Sequence, residues 1–140
     1  MATTKSYTDI EQSKKLAEIL SLESADGFWS YHDKWCSEGD EWEGYEDYPR
    51  AEPYLEYTRK ENEWKEDKSD IPCWSLAALL GVLPDFIGDY GKCLYYDVGG
   101  YYCGYMVDGD FMLTIEETNA DNQIDACYEM ILKLHEQKLL

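Results

Sequence analysis

His32 and Cys36 stand four residues apart in "HDKWC", and a histidine beside a thiol is the minimum equipment of a cysteine nucleophile. The imidazole would take the thiol proton and the thiolate would attack an acyl carbon. The carboxylates crowded around Cys36 push its thiol up rather than down, so this pairing is a weak one. Cys73 and Cys127 sit in apolar patterns and read as packing. Metal chemistry fares no better. His32 and His135 are the two histidines, and no H-x-x-x-H, C-x-x-C or H-x-x-E-H spacing occurs. His135, beside Glu136, falls near a helix end, where a basic side chain is favourable. "SEGDEWEGYED" and "TNADNQID" are rich in oxygen ligands but do not fit a calcium loop with its twelfth-position glutamate. Paired carboxylates run glycosidase chemistry, yet among thirty acids some pair falls at a suitable separation by chance. "GDYGKC" lacks the spacing of a phosphate-binding loop, and no G-x-G-x-x-G is present. The expectation is no catalytic residue, no metal and no cofactor.

The charge is more decisive. Thirty acidic residues against twelve basic ones leave 140 residues with a net charge of −18. Such a surface repels nucleic-acid phosphates and anionic headgroups, which argues against direct nucleic-acid or membrane binding. The first twenty residues have no basic head followed by an apolar run, and no apolar stretch reaches the ~20 residues of a membrane helix. Five scattered cysteines, an odd number without a C-x-x-C pair, predict free thiols in a reducing cytoplasm. A hydrophobic fraction of 44% suffices for a packed core in one domain over residues 1–140.

The elements that would position these residues follow from pattern. "TDIE" predicts a helix capped by Thr8 with Glu11 reaching back, and Ile10, Leu16, Ala17, Ile19 and Leu20 give it an apolar face. "FWSYH" at 28–32 reads as a short strand. "IPCWSLAALLGVLP" predicts a helix over 71–83, with Asp70 as cap and Pro72 in its first turn. Being apolar all round, it should be buried all round as the spine of the core.

"KCLYYDVGGYYCGYMVDGDFMLTIEE" predicts a three-stranded meander, about 92–98, 101–107 and 110–116, with turns at Gly99-Gly100 and Asp108-Gly109. Val98 then opposes Tyr101, and Val107 opposes Asp110. One face carries Cys93, Tyr95, Tyr102, Gly104, Met106, Phe111, Leu113 and Ile115; the other carries Leu94, Tyr96, Tyr101, Cys103, Tyr105, Met112 and Thr114. The Phe111 face is the expected core face, with Gly104 making room for a helix. A last helix, capped by Asn119 or Asp121, presents Ile124, Cys127, Ile131 and Leu134 as one stripe. The fold class is therefore α+β: an antiparallel sheet, made of the C-terminal meander plus one or two N-terminal strands, packed on about three helices.

Residues 38–70 stand apart, with thirteen acidic and five basic residues interleaved with Trp42, Tyr45, Tyr48, Tyr54, Tyr57 and Trp64. An acidic tract with that many rings has something to dock on. Pro49 and Pro53 argue against a helix through it, and "PYLEYTR" reads as a strand. The expectation is a partly ordered excursion with one or two short strands.

Three blocks, "FWS" after the "EQSKKLAEIL" helix, "IPCWSLAALLGVLP" and "IDACYEMILKLHEQKLL", resemble a group of short acidic proteins encoded by gut anaerobic bacteria and their phages or mobile elements. That group carries no assigned activity, cofactor or catalytic residue. The resemblance implies a bacterial or phage cytoplasmic origin, and the acidic middle does not take part in it.

Thirteen tyrosines and five tryptophans exceed what one small core consumes. The leading functional expectation is a non-catalytic interaction module that binds a basic protein surface, with Trp42, Tyr45, Tyr54, Tyr57, Trp64, Tyr96, Tyr101 and Tyr105 as the interaction residues. An inhibitor, an immunity protein or a DNA mimic would have this character. One alternative is a small-molecule binder or small enzyme with a pocket near the tyrosine-rich sheet face. The other is a self-assembling structural protein, most simply a homodimer through that face.

Overall fold

The computed structural model describes residues 5–38, 41–53, 71–107 and 110–140, with 30–53 and 110–115 entering as backbone. The first helix, α1, spans Ile10–Ile19. Its cap is Asp9, not Thr8. The Asp9 carboxylate accepts the Gln12 amide N–H at 2.8 Å, and the Gln12 side chain accepts the Asp9 N–H at 3.0 Å, so the capping box is displaced by one residue. Thr8 is unavailable because the core has taken it. Its hydroxyl lies 2.8 Å from that of Ser13 and accepts the Trp74 N–H at 3.2 Å.

Strand β1, Gly27–Glu38, continues well beyond the expected five residues and pairs antiparallel with β2, Glu41–Pro53. The first half of the acidic excursion is thus one long strand, while 54–70, including "YLEYTR", lies outside the described residues. Strand β3, Ile71–Cys73, adds to the other side of β1, giving the order β2-β1-β3. Pro49 and Pro53 are tolerated in β2, and Pro72 in β3, because both strands are edges of this sheet and proline has no N–H to offer.

The apolar run at 71–83 is therefore split. Its first three residues are strand, and α2 begins only at Leu76, ending at Val82 under a Ser75 cap whose hydroxyl accepts the Ala78 N–H at 3.2 Å. Ser75 is held by Asp26, whose carboxylate accepts its N–H at 2.8 Å and its hydroxyl. The helix is buried on one side only. Leu79 and Leu83 are enclosed while Ala77 and Gly81 face outward. Trp74, fully buried just before it, donates its indole N–H to Ser24 at 2.9 Å.

A second antiparallel sheet has the order β4-β5-β6-β7, from Phe86–Ile87, Tyr90–Asp97, Gly100–Val107 and Asp110–Ala120. Asp97 pairs with Gly100, so the tight turn is Val98-Gly99, one residue earlier than expected. Gly100 has φ +119, and a Cβ there would sit 2.7 Å from the Ala120 carbonyl oxygen, which is why this position requires glycine. Val107 does pair with Asp110, but β7 runs on to Ala120 through two irregularities in its register with β6.

The displaced turn keeps the two face sets of β5 and β6 intact, but the core face is the opposite one. Cys103 and Tyr105 are fully buried, and Leu94 packs against them, where the helices cover the sheet. Gly104 serves the neighbouring strand instead of a helix, since a Cβ there would lie 3.1 Å from the Glu116 carbonyl oxygen. The covering element is α3, Gln123–Glu136, capped by Asn122 and not by Asn119 or Asp121. Its stripe of Ile124, Cys127, Ile131 and Leu134 is buried as expected, and α2 packs beside it. The class is α+β, with two antiparallel sheets where one was expected.

Candidate functional site

His32 and Cys36 both belong to β1, where His32 pairs with Tyr48 and Cys36 with Gly44. Four residues along a strand span ~13 Å, so the two cannot share a proton as a nucleophile and base must. The fold withdraws the cysteine-hydrolase pairing. Among the described residues no group of three or more His, Cys, Asp or Glu side chains is arranged to hold a metal ion, and no helix is long and apolar enough to cross a membrane.

The eight expected interaction residues are distributed as follows. Trp42 and Tyr45 lie in β2, opposite Ser37 and Trp35. Tyr54, Tyr57 and Trp64 fall outside the described residues. Tyr96 is 69% exposed, and its ring stands 5.0 Å from that of Tyr101, tilted by 56°. Tyr105 is fully buried and donates its hydroxyl to the Pro84 carbonyl at 2.6 Å, so it belongs to the core and offers nothing to a partner. Among the described residues the tyrosine face is thus covered around Tyr105 by helices and exposed at the β5–β6 turn, where Val98 is wholly exposed.

Next to this open end is a feature that the tyrosines alone did not signal. Tyr101 pairs with Ala120, and Ala120 lines a polar cleft of about 530 Å³ together with Gln12, Thr118, Asn119, Asp121, Asp125 and Glu129. Asp125 and Glu129, four residues apart, share one side of the start of α3, and Asp121, just ahead of its Asn122 cap, lines the same cleft. That spacing was readable in the sequence.

The three acids are not equivalent. Asp125 is half-buried and anchored, accepting from Lys5 at 2.5 Å, Gln12 at 2.7 Å and Asn122 at 2.8 Å. Burial pushes its carboxyl up, but these hydrogen bonds and the Lys5 charge outweigh it, and the net direction is down. Asp121 and Glu129 are exposed beside it. A fixed anion flanked by two solvated ones suits a cation.

The opposite sheet face carries a second aromatic pair. Tyr95 and Tyr102 stack in parallel at 4.9 Å, and Tyr95 donates its hydroxyl to Glu117 at 2.5 Å. Burial first, and then Glu117, push the Tyr95 phenol well up, so it remains a neutral donor. A smaller cleft of about 250 Å³ between α1 and α3 is lined by Lys15, Glu18, Ile19, Leu132, His135 and Glu136. Its mixed charges mark no particular ligand.

Comparison with models of known protein families, with curated proteins and with solved structures returned no match.

Proposed function

We propose that this protein is a non-catalytic interaction module that binds a basic protein surface in the cytoplasm. The observation that carries this reading is the juxtaposition of the Tyr96–Tyr101 pair, with Tyr96 exposed and Tyr101 partly so, and the carboxylate-lined cleft through the Tyr101–Ala120 pairing. A lysine or arginine of the partner stacks on the tilted rings, and a neighbouring cation enters the cleft between Asp121 and Glu129. Asp125, already tied to Lys5, holds the shape of the cleft and is not itself the docking charge. The net charge of −18 steers a basic partner toward the site and raises its association rate at low salt. Trp42, Tyr45, Tyr54, Tyr57 and Trp64, the aromatic residues of the acidic stretch, are further candidates for contacts with the partner. An inhibitor, an immunity protein or a DNA mimic each works through such a surface. The self-assembly alternative keeps only the turn end of the tyrosine face, because Tyr105 lies beneath the helices.

The test is a paired capture experiment. Wild type and the triple variant Tyr96→Ala, Asp121→Asn, Glu129→Gln are immobilised side by side in bacterial lysate at low and high salt. The expected result is a set of basic proteins held by wild type at low salt, weakened by salt and lost on the variant. Equal capture by both, or none by either, overturns the proposal.

A further inference from the structure

The polar cleft at the start of α3 already meets a cation of the chain's own. The Lys5 ammonium lies 2.5 Å from Asp125 and 2.8 Å from the side-chain oxygen of Gln12, and both of these residues line the cleft. The Asp9 carboxylate stands 3.6 Å from the same ammonium. Among the described residues, Lys5 makes its polar contacts through this ammonium alone. The chain beside it is fixed by other means. Tyr7 bridges Ser75, the Thr8 N–H donates to the Trp74 carbonyl at 2.9 Å, and α1 has its cap in Asp9 and Gln12. Asp125 is likewise held without Lys5. Gln12 donates to one of its carboxylate oxygens at 2.7 Å, and Asn122 donates to the other at 2.8 Å. Taking the Lys5 charge away therefore leaves an oriented carboxylate in the wall of the cleft.

We propose that Lys5 is a built-in competitor for the cleft, an ammonium that withholds Asp125 from a basic partner. The inference rests on the reading of the cleft as the docking site of a partner's lysine or arginine. With Lys5 in place, an incoming cation meets Asp121 and Glu129, and an Asp125 whose charge is already answered. Without the Lys5 ammonium, Asp125 becomes a third docking charge. A like charge that repelled the incoming cation is removed at the same time. The Lys5 and Asp125 side chains are 23% and 31% exposed, so water reaches the pair and its hold is modest. Lys5 thus sets the cleft below the affinity that its three carboxylates together would give.

The experiment titrates a fluorescently labelled oligolysine peptide with the full chain at low salt and follows its anisotropy. Wild type, Lys5→Met, Lys5→Arg and Lys14→Met are compared. Lys14 is an exposed lysine of α1 that does not line the cleft, so its variant makes the same change in net charge elsewhere. Lys5→Met should bind more tightly than Lys14→Met by roughly two- to five-fold, the worth of a part-exposed ion pair. Lys5→Arg, which keeps the charge, should stay near wild type. Adding Asp125→Asn to Lys5→Met should abolish the gain. Lys5→Gln keeps N–H donors without the charge and should show the same gain, which covers the case in which methionine disturbs the segment. If both neutral variants bind no tighter than Lys14→Met, or if the gain survives Asp125→Asn, the proposal is overturned. Weaker binding by both overturns it as well, since Lys5 would then build the cleft instead of competing for it. The double variant Asp121→Asn, Glu129→Gln separates the two readings. Where it loses binding and the neutral Lys5 variants gain none, the competitor alone fails. Where it binds as well as wild type, the docking site fails and the competitor with it.

Discussion

The ammonium of Lys92 donates to the carbonyl of Leu80 at 2.6 Å, so a side chain of β5 closes the C-terminal end of α2. It also reaches the Leu83 carbonyl at 3.2 Å and pairs with Asp85 at 3.1 Å. A helix of seven residues has few internally bonded carbonyls, and its last turn needs partners from outside. A cation there also suits the helix dipole. Lys92 thus couples the least self-sufficient helix to the sheet. Lys92→Met should cost about 1.5–3 kcal/mol, the range for hydrogen bonds to a charged group. In urea unfolding the midpoint should fall with the slope unchanged. An unaltered midpoint would mean that water replaces the ammonium at no loss.

Tyr105→Phe removes one hydroxyl that donates to the Pro84 carbonyl. The expected loss is about 1 kcal/mol, read as a lower melting temperature. Partner binding should be unchanged, since the ring is fully buried. A variant that kept its stability but lost binding would reassign Tyr105 to the interface.

Asp125 makes a prediction about pH. Its folded carboxyl lies below the usual value despite the upward push of burial, because Lys5, Gln12 and Asn122 hydrogen-bond to the charged form. A depressed carboxylate stabilises the fold above its unfolded pKa, and that contribution is lost as the pH falls through the folded value. Wild type should therefore be more stable than Asp125→Asn by a constant margin at neutral pH. The margin should shrink below about pH 4, where the unfolded carboxyl begins to protonate. Urea midpoints of both proteins across this range check it; a margin that grows on acidification would contradict the direction.

What the sequence disclosed depended on how local the cause was. The stripe Ile124, Cys127, Ile131, Leu134 is set by helical period alone, and all four side chains are buried as that period requires. "TDIEQ" holds two overlapping capping boxes, and the choice between them was made by Trp74, 66 residues away, which engages Thr8. In "IPCWSLAALLGVLP" an apolar run does not distinguish strand from helix, and the decision came from β1, which Ile71–Cys73 completes. Both faces of the meander carry aromatics, so pattern could not say which one α3 would cover. For the candidate site, the four-residue spacing of Asp121, Asp125 and Glu129 was legible, whereas the tie of Lys5 to Asp125 was not. Tyr96, Tyr101 and Tyr105 share one face; only the reach of the helices over it separates the exposed ring from the buried one.

The central claim is that the turn end of the tyrosine face and the cleft beside it form one cation-binding surface. Its most direct test is a titration of the full chain with a lysine- and arginine-rich peptide, followed by amide chemical-shift mapping at low and at raised salt. Shifts should concentrate at Tyr96, Tyr101, Ala120, Asp121 and Glu129 and weaken as salt is added. Shifts scattered evenly over the acidic surface, or none at these five residues, would contradict it.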